Sequence, residues 1–230
     1  MSTRDQVIAI GTLAIGFGTG FAWWRSVAGD PKPRGPMVVS GVLADEEHLV
    51  TPEMTRASEQ MARRPAPGFR AVDQDGNRVV SSSMFGERPV VLVFIKDGCP
   101  CSTSAEPFYA RLHDAYGDRA AFLGVIDGDR SVASRWVGDH GTPYPVLADP
   151  SLELARDFEA RNSAYVALID RDGEIVSLWP GYSEGILDEI AARLSELTGL
   201  PRADVGASEA PELPYSGCPF PVGTGGGPTG

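Results

Sequence analysis

Val90-Val91-Leu92-Val93-Phe94-Ile95-Lys96-Asp97-Gly98-Cys99-Pro100-Cys101-Ser102 is the stretch from which the rest of the chain can be read. Its first six residues are apolar without interruption and rich in β-branched side chains, the pattern of a strand covered on both faces. A short glycine-containing loop follows, then two cysteines separated by a proline. Beyond them Ala105, Phe108, Leu112 and Ala115 recur at helical spacing, and Gly117 offers a stop. A buried strand feeding an amphipathic helix is the repeating unit of an α/β layer structure.

The same alternation extends on both sides. Phe69 to Val72 and Arg78 to Val80 flank Asp75-Gly76 and read as a hairpin. Downstream, Ala121 to Ile126 reads as a second buried strand and Ser131 to Val137 as a short helix. Tyr144 to Leu147 is a further strand, and Ser151 to Ala160 a helix. Tyr165 to Ile169 and Glu174 to Leu178, around a turn at Asp170 to Gly173, form a second hairpin. Ile186, Ile190, Leu194 and Leu197 lie on one stripe of a closing helix. The predicted order is ββ, βαβαβα, ββ, α over residues 65–198, and this is the part of the chain able to build a core.

The chemistry predicted for this domain rests on its thiols. Cys99 and Cys101 stand where the strand ends and the helix begins, and a helix N-terminus stabilises a thiolate through its unpaired N–H groups and dipole. Lys96 adds a cation nearby and Asp97 opposes it. A disulfide within Cys99-Pro100-Cys101 would close a very small ring, strained and therefore readily reduced. Three cysteines are too few for a disulfide-stapled mini-fold or a four-thiolate zinc site. The third, Cys218, lies about 20 residues beyond Thr198 on a segment whose flexible span is roughly 25 Å, so it can reach the other two. It reads either as a spare cysteine in the tail or as a resolving thiol, condensing with a sulfenic acid on Cys101 or Cys99 to form a disulfide.

With these residues in view, residues 65–198 resemble the thioredoxin-like superfamily, in particular its redoxin branch of peroxiredoxins and membrane-tethered thiol-disulfide oxidoreductases. The resemblance is carried by PAPGFRAVDQDGNRVVSSSMFGERPVVLVFIKDGCPC, YPVLADPSLELARDF and ALIDRDGEIVSLWPGYS, in that order. It implies a three-layer fold with a mixed central sheet, and peroxide reduction or thiol-disulfide exchange without a cofactor. Counting from Pro107 gives two registers. The thioredoxin register makes Cys99 the attacking thiol and puts Ser102 where the resolving cysteine would be. The peroxiredoxin register makes Cys101 the peroxidatic thiol, in Cys101-Ser102-Thr103-Ser104-Ala105-Glu106-Pro107.

The sequence departs from those patterns at two places. Gly98 stands where peroxiredoxins carry a threonine. Ala164 stands where thioredoxins carry a cis-proline and peroxiredoxins an arginine, with Arg161 the nearest substitute. These departures keep open a second reading, a redoxin fold retained as a scaffold or accessory subunit of a membrane complex. A third reading, copper delivery, lacks the histidine that such tethered relatives place near the later strand. His48, His113 and His140 read as surface or loop residues, and no metal ligand set is predicted.

Outside the domain the composition changes. Residues 1–25 contain an uncharged run from Val7 to Trp24, long enough to cross a bilayer, with Trp23, Trp24 and Arg25 at its end. This segment is expected to be a membrane anchor, with a cleaved signal peptide at Ser26-Val27-Ala28 as the alternative. Gly16 and Gly20 form a small-xxx-small step suited to a partner helix in a membrane protein. The short amino tail suits an exported, periplasmic body, although the positive charges after the span favour the opposite orientation. Residues 26–64 read as a spacer with one short helix capped by Thr51. Residues 199–230 form a Pro/Gly-rich tail, expected to be mobile unless docked. The net charge of −11 argues against nucleic-acid binding, which depends on a basic face.

Overall fold

The computed structural model describes residues 48–221. The expected span at 7–24 and the terminal GTGGGPTG run lie outside them, and among the described residues no helix is long and apolar enough to cross a membrane. Among the described residues the strands are β1 (Arg70–Val72), β2 (Arg78–Val80), β3 (Val90–Ile95), β4 (Ala121–Ile126), β5 (Val146–Ala148), β6 (Val166–Ile169) and β7 (Ile175–Trp179). The helices are α1 (Pro52–Met61), α2 (Pro100–Tyr116), α3 (Arg130–His140), α4 (Glu153–Asp157) and α5 (Glu184–Thr198).

β1 and β2 pair as an antiparallel hairpin, and the other five strands form one mixed sheet in the order β5-β4-β3-β6-β7. β3, β4 and β5 run parallel, while β6 and β7 pair antiparallel. This is the mixed central sheet expected of a thioredoxin-like domain. β3 is central and every one of its residues is buried, as its unbroken apolar run requires. Side chains alternate between faces with period two. Val90, Leu92 and Phe94 therefore join Leu123, Val125, Ala167, Ile169 and Phe158 in one core cluster. α2 and α5 bury Phe108, Leu112, Leu187, Ile190 and Leu194.

Two elements differ from the sequence reading. Pro145 has no N–H to give a ladder, so the strand expected over Tyr144 to Leu147 begins only at Val146. Leu152 and Glu159 take left-handed backbone conformations, φ 57° and 52°. They cut the helix expected over Ser151 to Ala160 down to Glu153–Asp157. The Asp149 carboxylate starts that short helix, accepting from the N–H groups of Glu153 and Ala155 at 2.8 and 3.0 Å.

Both flanks of the sheet domain are bound to it. Thr51 caps α1, its hydroxyl accepting from Met54 N–H at 3.2 Å, and the helix packs on β7. Met61 reaches the core cluster, as does Phe220 from the tail. The tail is thus docked through residue 221. Its Tyr215 bridges both Leu49 and Tyr182, and its Pro219 bridges Asn162. What composition could not reveal is that Tyr215, Ser216 and Phe220 are each almost wholly buried, which offsets the ordering entropy of a segment poor in apolar residues.

Candidate active site

Cys99 is the N-cap of α2, with an extended backbone (φ −83°, ψ 120°), and Pro100 fills the first helical position. That placement follows from sequence: proline lacks an N–H that a first turn would leave unpaired in any case. Gly98, at φ 71°, makes the turn out of β3 that brings the cap into register. Cys101 is in the first turn of α2. Cys99 and Cys101 are buried, Cys218 is half-buried, and none of the three is in a disulfide.

Hydrogen bonds converge on the Cys99 sulfur. The Ser163 hydroxyl donates to it at 3.2 Å and the Cys218 backbone N–H also at 3.2 Å. The donors around this sulfur, the Cys101 thiol foremost, hold the Cys99 pKa far below its ordinary value of 9.0, at about 3. The hydrogen bond from Cys101 is the largest influence. Burial works against it, and the Cys218 thiol, the Ser163 hydroxyl and the Ser102 N–H each lower the value further. Donors aimed at an anion at the head of a helix favour the charged form.

A direct consequence can be measured. The difference in thiolate absorbance near 240 nm between the native chain and Cys99→Ser is expected to persist from neutral pH down to about pH 4 and to fall to half near 3. A midpoint at pH 8–9 would contradict the geometry. Since the folded pKa is depressed below the ordinary 9.0, the thiolate's contribution to stability is fully present above pH 9. It is lost progressively as pH falls through the folded value of about 3.

The loop Asn162-Ser163-Ala164 is what carries the serine to the sulfur. Ala164 N–H donates to Phe94 O at 2.8 Å, and Phe94 N–H to Tyr165 O at 2.9 Å, which locks the loop to the end of β3. Tyr109 from α2 donates to Ala164 O at 3.1 Å. Ala164, which stands where thioredoxins carry a cis-proline and peroxiredoxins an arginine, takes a left-handed conformation with φ 59°. This strained turn faces Ser163 toward Cys99, so the hydroxyl of the preceding residue makes the contact there.

Other expectations are corrected by geometry. The Lys96 ammonium donates to Pro219 O at 2.8 Å and is not among the groups that set the Cys99 pKa. Asp97 does not act alone against the thiolate, because Arg135 holds its carboxylate at 2.7 Å. Arg161 does not fold back to the thiols; its guanidinium meets Glu53 at 2.8 Å. Ser102, in the resolving position of the thioredoxin register, accepts from Lys96 N–H at 3.1 Å and braces the loop. His113 packs edge-on against Phe122, and His140 stacks on Trp136 with ring centroids 4.0 Å apart. Among the described residues no group of three or more His, Cys, Asp or Glu is arranged to hold a metal ion.

Sequence reasoning singled out all three thiols, and the fold brings them together. It missed Ser163, Asn162 and Tyr182. Tyr182 is buried deeply enough for its pKa to be pushed up to about 12, so it stays a neutral phenol. The available signal was position: Asn162 and Ser163 directly precede Ala164, and Tyr182 directly follows the second hairpin.

The fold that carries this site is found in known proteins. Among solved structures, the chain is similar to a candidate protein disulfide isomerase from Bacteroides thetaiotaomicron. The two are 24% identical over 60% of this chain and 90% of that one, with a TM-score of 0.56. MTB dsbF, solved in mixed oxidised and reduced forms, is 23% identical over 56% of this chain and 95% of its own, with a TM-score of 0.51. The bacterioferritin comigratory protein of Xanthomonas campestris, solved for insight into its alkyl peroxide reduction, is 20% identical over 56% and 90%, with a TM-score of 0.50. No curated protein matches the chain significantly. The model of the AhpC/TSA family matches residues 62–178, from just beyond α1 into β7, a stretch that includes Cys99 and Cys101 but not Cys218. The chain belongs to the AhpC/TSA family.

Proposed function

We propose that this protein is a thiol-dependent oxidoreductase in which the Cys99 thiolate is the nucleophile, acting on a hydroperoxide or a protein disulfide. The observation that carries this reading is the Cys99 sulfur at the head of α2 with hydroxyl, amide and thiol donors aimed at it. A thiolate held in that way is available at any physiological pH. Toward a hydroperoxide it forms a sulfenic acid and releases an alcohol or water; toward a disulfide it forms a mixed disulfide and releases a thiolate. Membership of the AhpC/TSA family supports either chemistry, and so do structural relatives described by peroxide reduction or by disulfide isomerisation.

The uncharged run at 7–24 supports a membrane anchor, and the domain is proposed to stand on the extracytoplasmic, periplasmic side although the charges after the run oppose that placement. Its glycine step supports a membrane protein as partner. A thiol enzyme anchored there would meet exported proteins and diffusible peroxide. Burial of Cys99 under the tail, with only 2% of its surface exposed, favours a second reading, a redoxin fold kept as a scaffold subunit of a membrane complex.

Turnover separates them. Full-length protein with dithiothreitol as reductant is offered hydrogen peroxide, tert-butyl hydroperoxide and a disulfide-bonded protein such as insulin. Consumption of at least one above the uncatalysed rate is expected. Uncatalysed rates with all three, together with recovery of the chain in a stable membrane complex whose assembly survives Cys99→Ser, would support the scaffold.

A further inference from the structure

The tail is fixed on both sides of Cys218. On the N-terminal side Tyr215 and Tyr182 exchange both backbone hydrogen bonds, at 2.9 and 3.0 Å, and Ser216 N–H donates to His48 O at 2.8 Å. On the C-terminal side Phe220 N–H reaches Arg161 O at 2.9 Å while the Phe220 ring enters the core. Between these anchors Cys218 O accepts from Ser163 N–H at 3.0 Å, and Cys218 N–H points at Cys99 Sγ. Two side chains take the carbonyls on either side of Cys218. Asn162 Nδ2 donates to Gly217 O at 2.9 Å and to Ser216 Oγ at 3.2 Å, and Lys96 Nζ donates to Pro219 O at 2.8 Å.

Resting on the thiol reading above, we infer that Asn162 and Lys96 are positioning residues that hold Cys218 in place as the thiol resolving oxidised Cys99. After the first step Cys99 carries a sulfenic acid. The Cys218 sulfur attacks the Cys99 sulfur, the S–O bond breaks, and hydroxide leaves with the thiol proton as water. When a disulfide is the substrate, Cys218 instead displaces the second substrate thiol from the mixed disulfide. A dithiol reductant then restores both thiols.

The clamp matters because a freely moving tail presents its thiol at a millimolar effective concentration. Fixing it against the target raises that value by orders of magnitude. Cys101 is the competitor. Its bond to Cys99 would close a very small ring across Pro100 at the head of a helix, where the geometry a disulfide needs is hard to reach.

The full-length chain, reduced and freed of reductant, is given one equivalent of hydrogen peroxide with dimedone present. It is then quenched with N-ethylmaleimide and mapped by mass spectrometry. The native chain is expected to yield chiefly a Cys99–Cys218 disulfide, and Cys218→Ser the dimedone adduct of Cys99. The double variant Asn162→Ala with Lys96→Met is expected to raise the adduct-to-disulfide ratio roughly tenfold or more, with Lys96→Arg alone close to native. A merely structural role would lower the melting temperature and leave the ratio unmoved. A Cys99–Cys101 disulfide, or a native ratio in the double variant, overturns the inference and leaves the thiol reading standing. Absence of any Cys99 adduct or disulfide overturns the thiol reading and this inference with it.

Discussion

Cys99→Ser is expected to lower single-turnover oxidation by hydroperoxide or disulfide by roughly 10³-fold or more, the scale seen when a nucleophile is removed. A serine hydroxyl is somewhat smaller and is not ionised at neutral pH, so the donors of Ser163 and Cys218 would face an alcohol in place of an anion. Cys101→Ser should cost far less, since the new hydroxyl can still donate toward Cys99, the role the Cys101 thiol now plays. Stopped-flow oxidation with stoichiometric peroxide, read by mass spectrometry, distinguishes the two variants. If Cys101→Ser were the inactive one and Cys99→Ser the active one, the nucleophile would be Cys101, as the peroxiredoxin register has it, and the electrostatic reading of the helix cap would be wrong.

The second large effect is expected at Gly181. A Cβ placed on this glycine would collide with the carbonyl oxygen of Tyr215 and lie 2.6 Å from its carbonyl carbon and 2.9 Å from Ser216 Cα. These are backbone atoms, so no side chain can rotate out of the way. The tail must lift where Tyr182 and Tyr215 now exchange hydrogen bonds. Gly181→Ala is therefore expected to destabilise the protein by about 1–3 kcal/mol. It should also make Cys218 react with N-ethylmaleimide at least roughly tenfold faster, as the strap spends more time open. Paired melting and alkylation measurements test this; a variant as stable as native, with Cys218 equally protected, would show that the close approach does not hold the tail.

The sheet was readable because its signals are local. Val90 to Ile95 and Ala121 to Ile126 are unbroken apolar runs, and both are strands over the same residues. The cap at Thr51 is likewise written within a few residues of itself, while on α5 the expected stripe holds at Ile190 and Leu194 but the buried face runs through Leu187 and Ala191, with Ile186 and Leu197 only half-buried. Where a single backbone angle decides, as at Leu152 and Glu159, the local pattern misled, because nothing in a leucine or a glutamate announces a left-handed conformation.

Sequence by itself determined the α/β order, the position of Cys99 and Cys101 at a strand-to-helix junction, and the existence of a third thiol within reach. Only the tertiary structure decided which distant groups meet the Cys99 sulfur. Its donors from Ser163 and Cys218 lie 64 and 119 residues away along the chain, and no periodicity records a contact of that range. It also decided that a Pro/Gly-rich tail is ordered through residue 221. The hydrogen bonds that order it come from backbone groups of His48, Arg161, Ser163 and Tyr182, and backbone groups are identical in every sequence until a fold brings particular ones together.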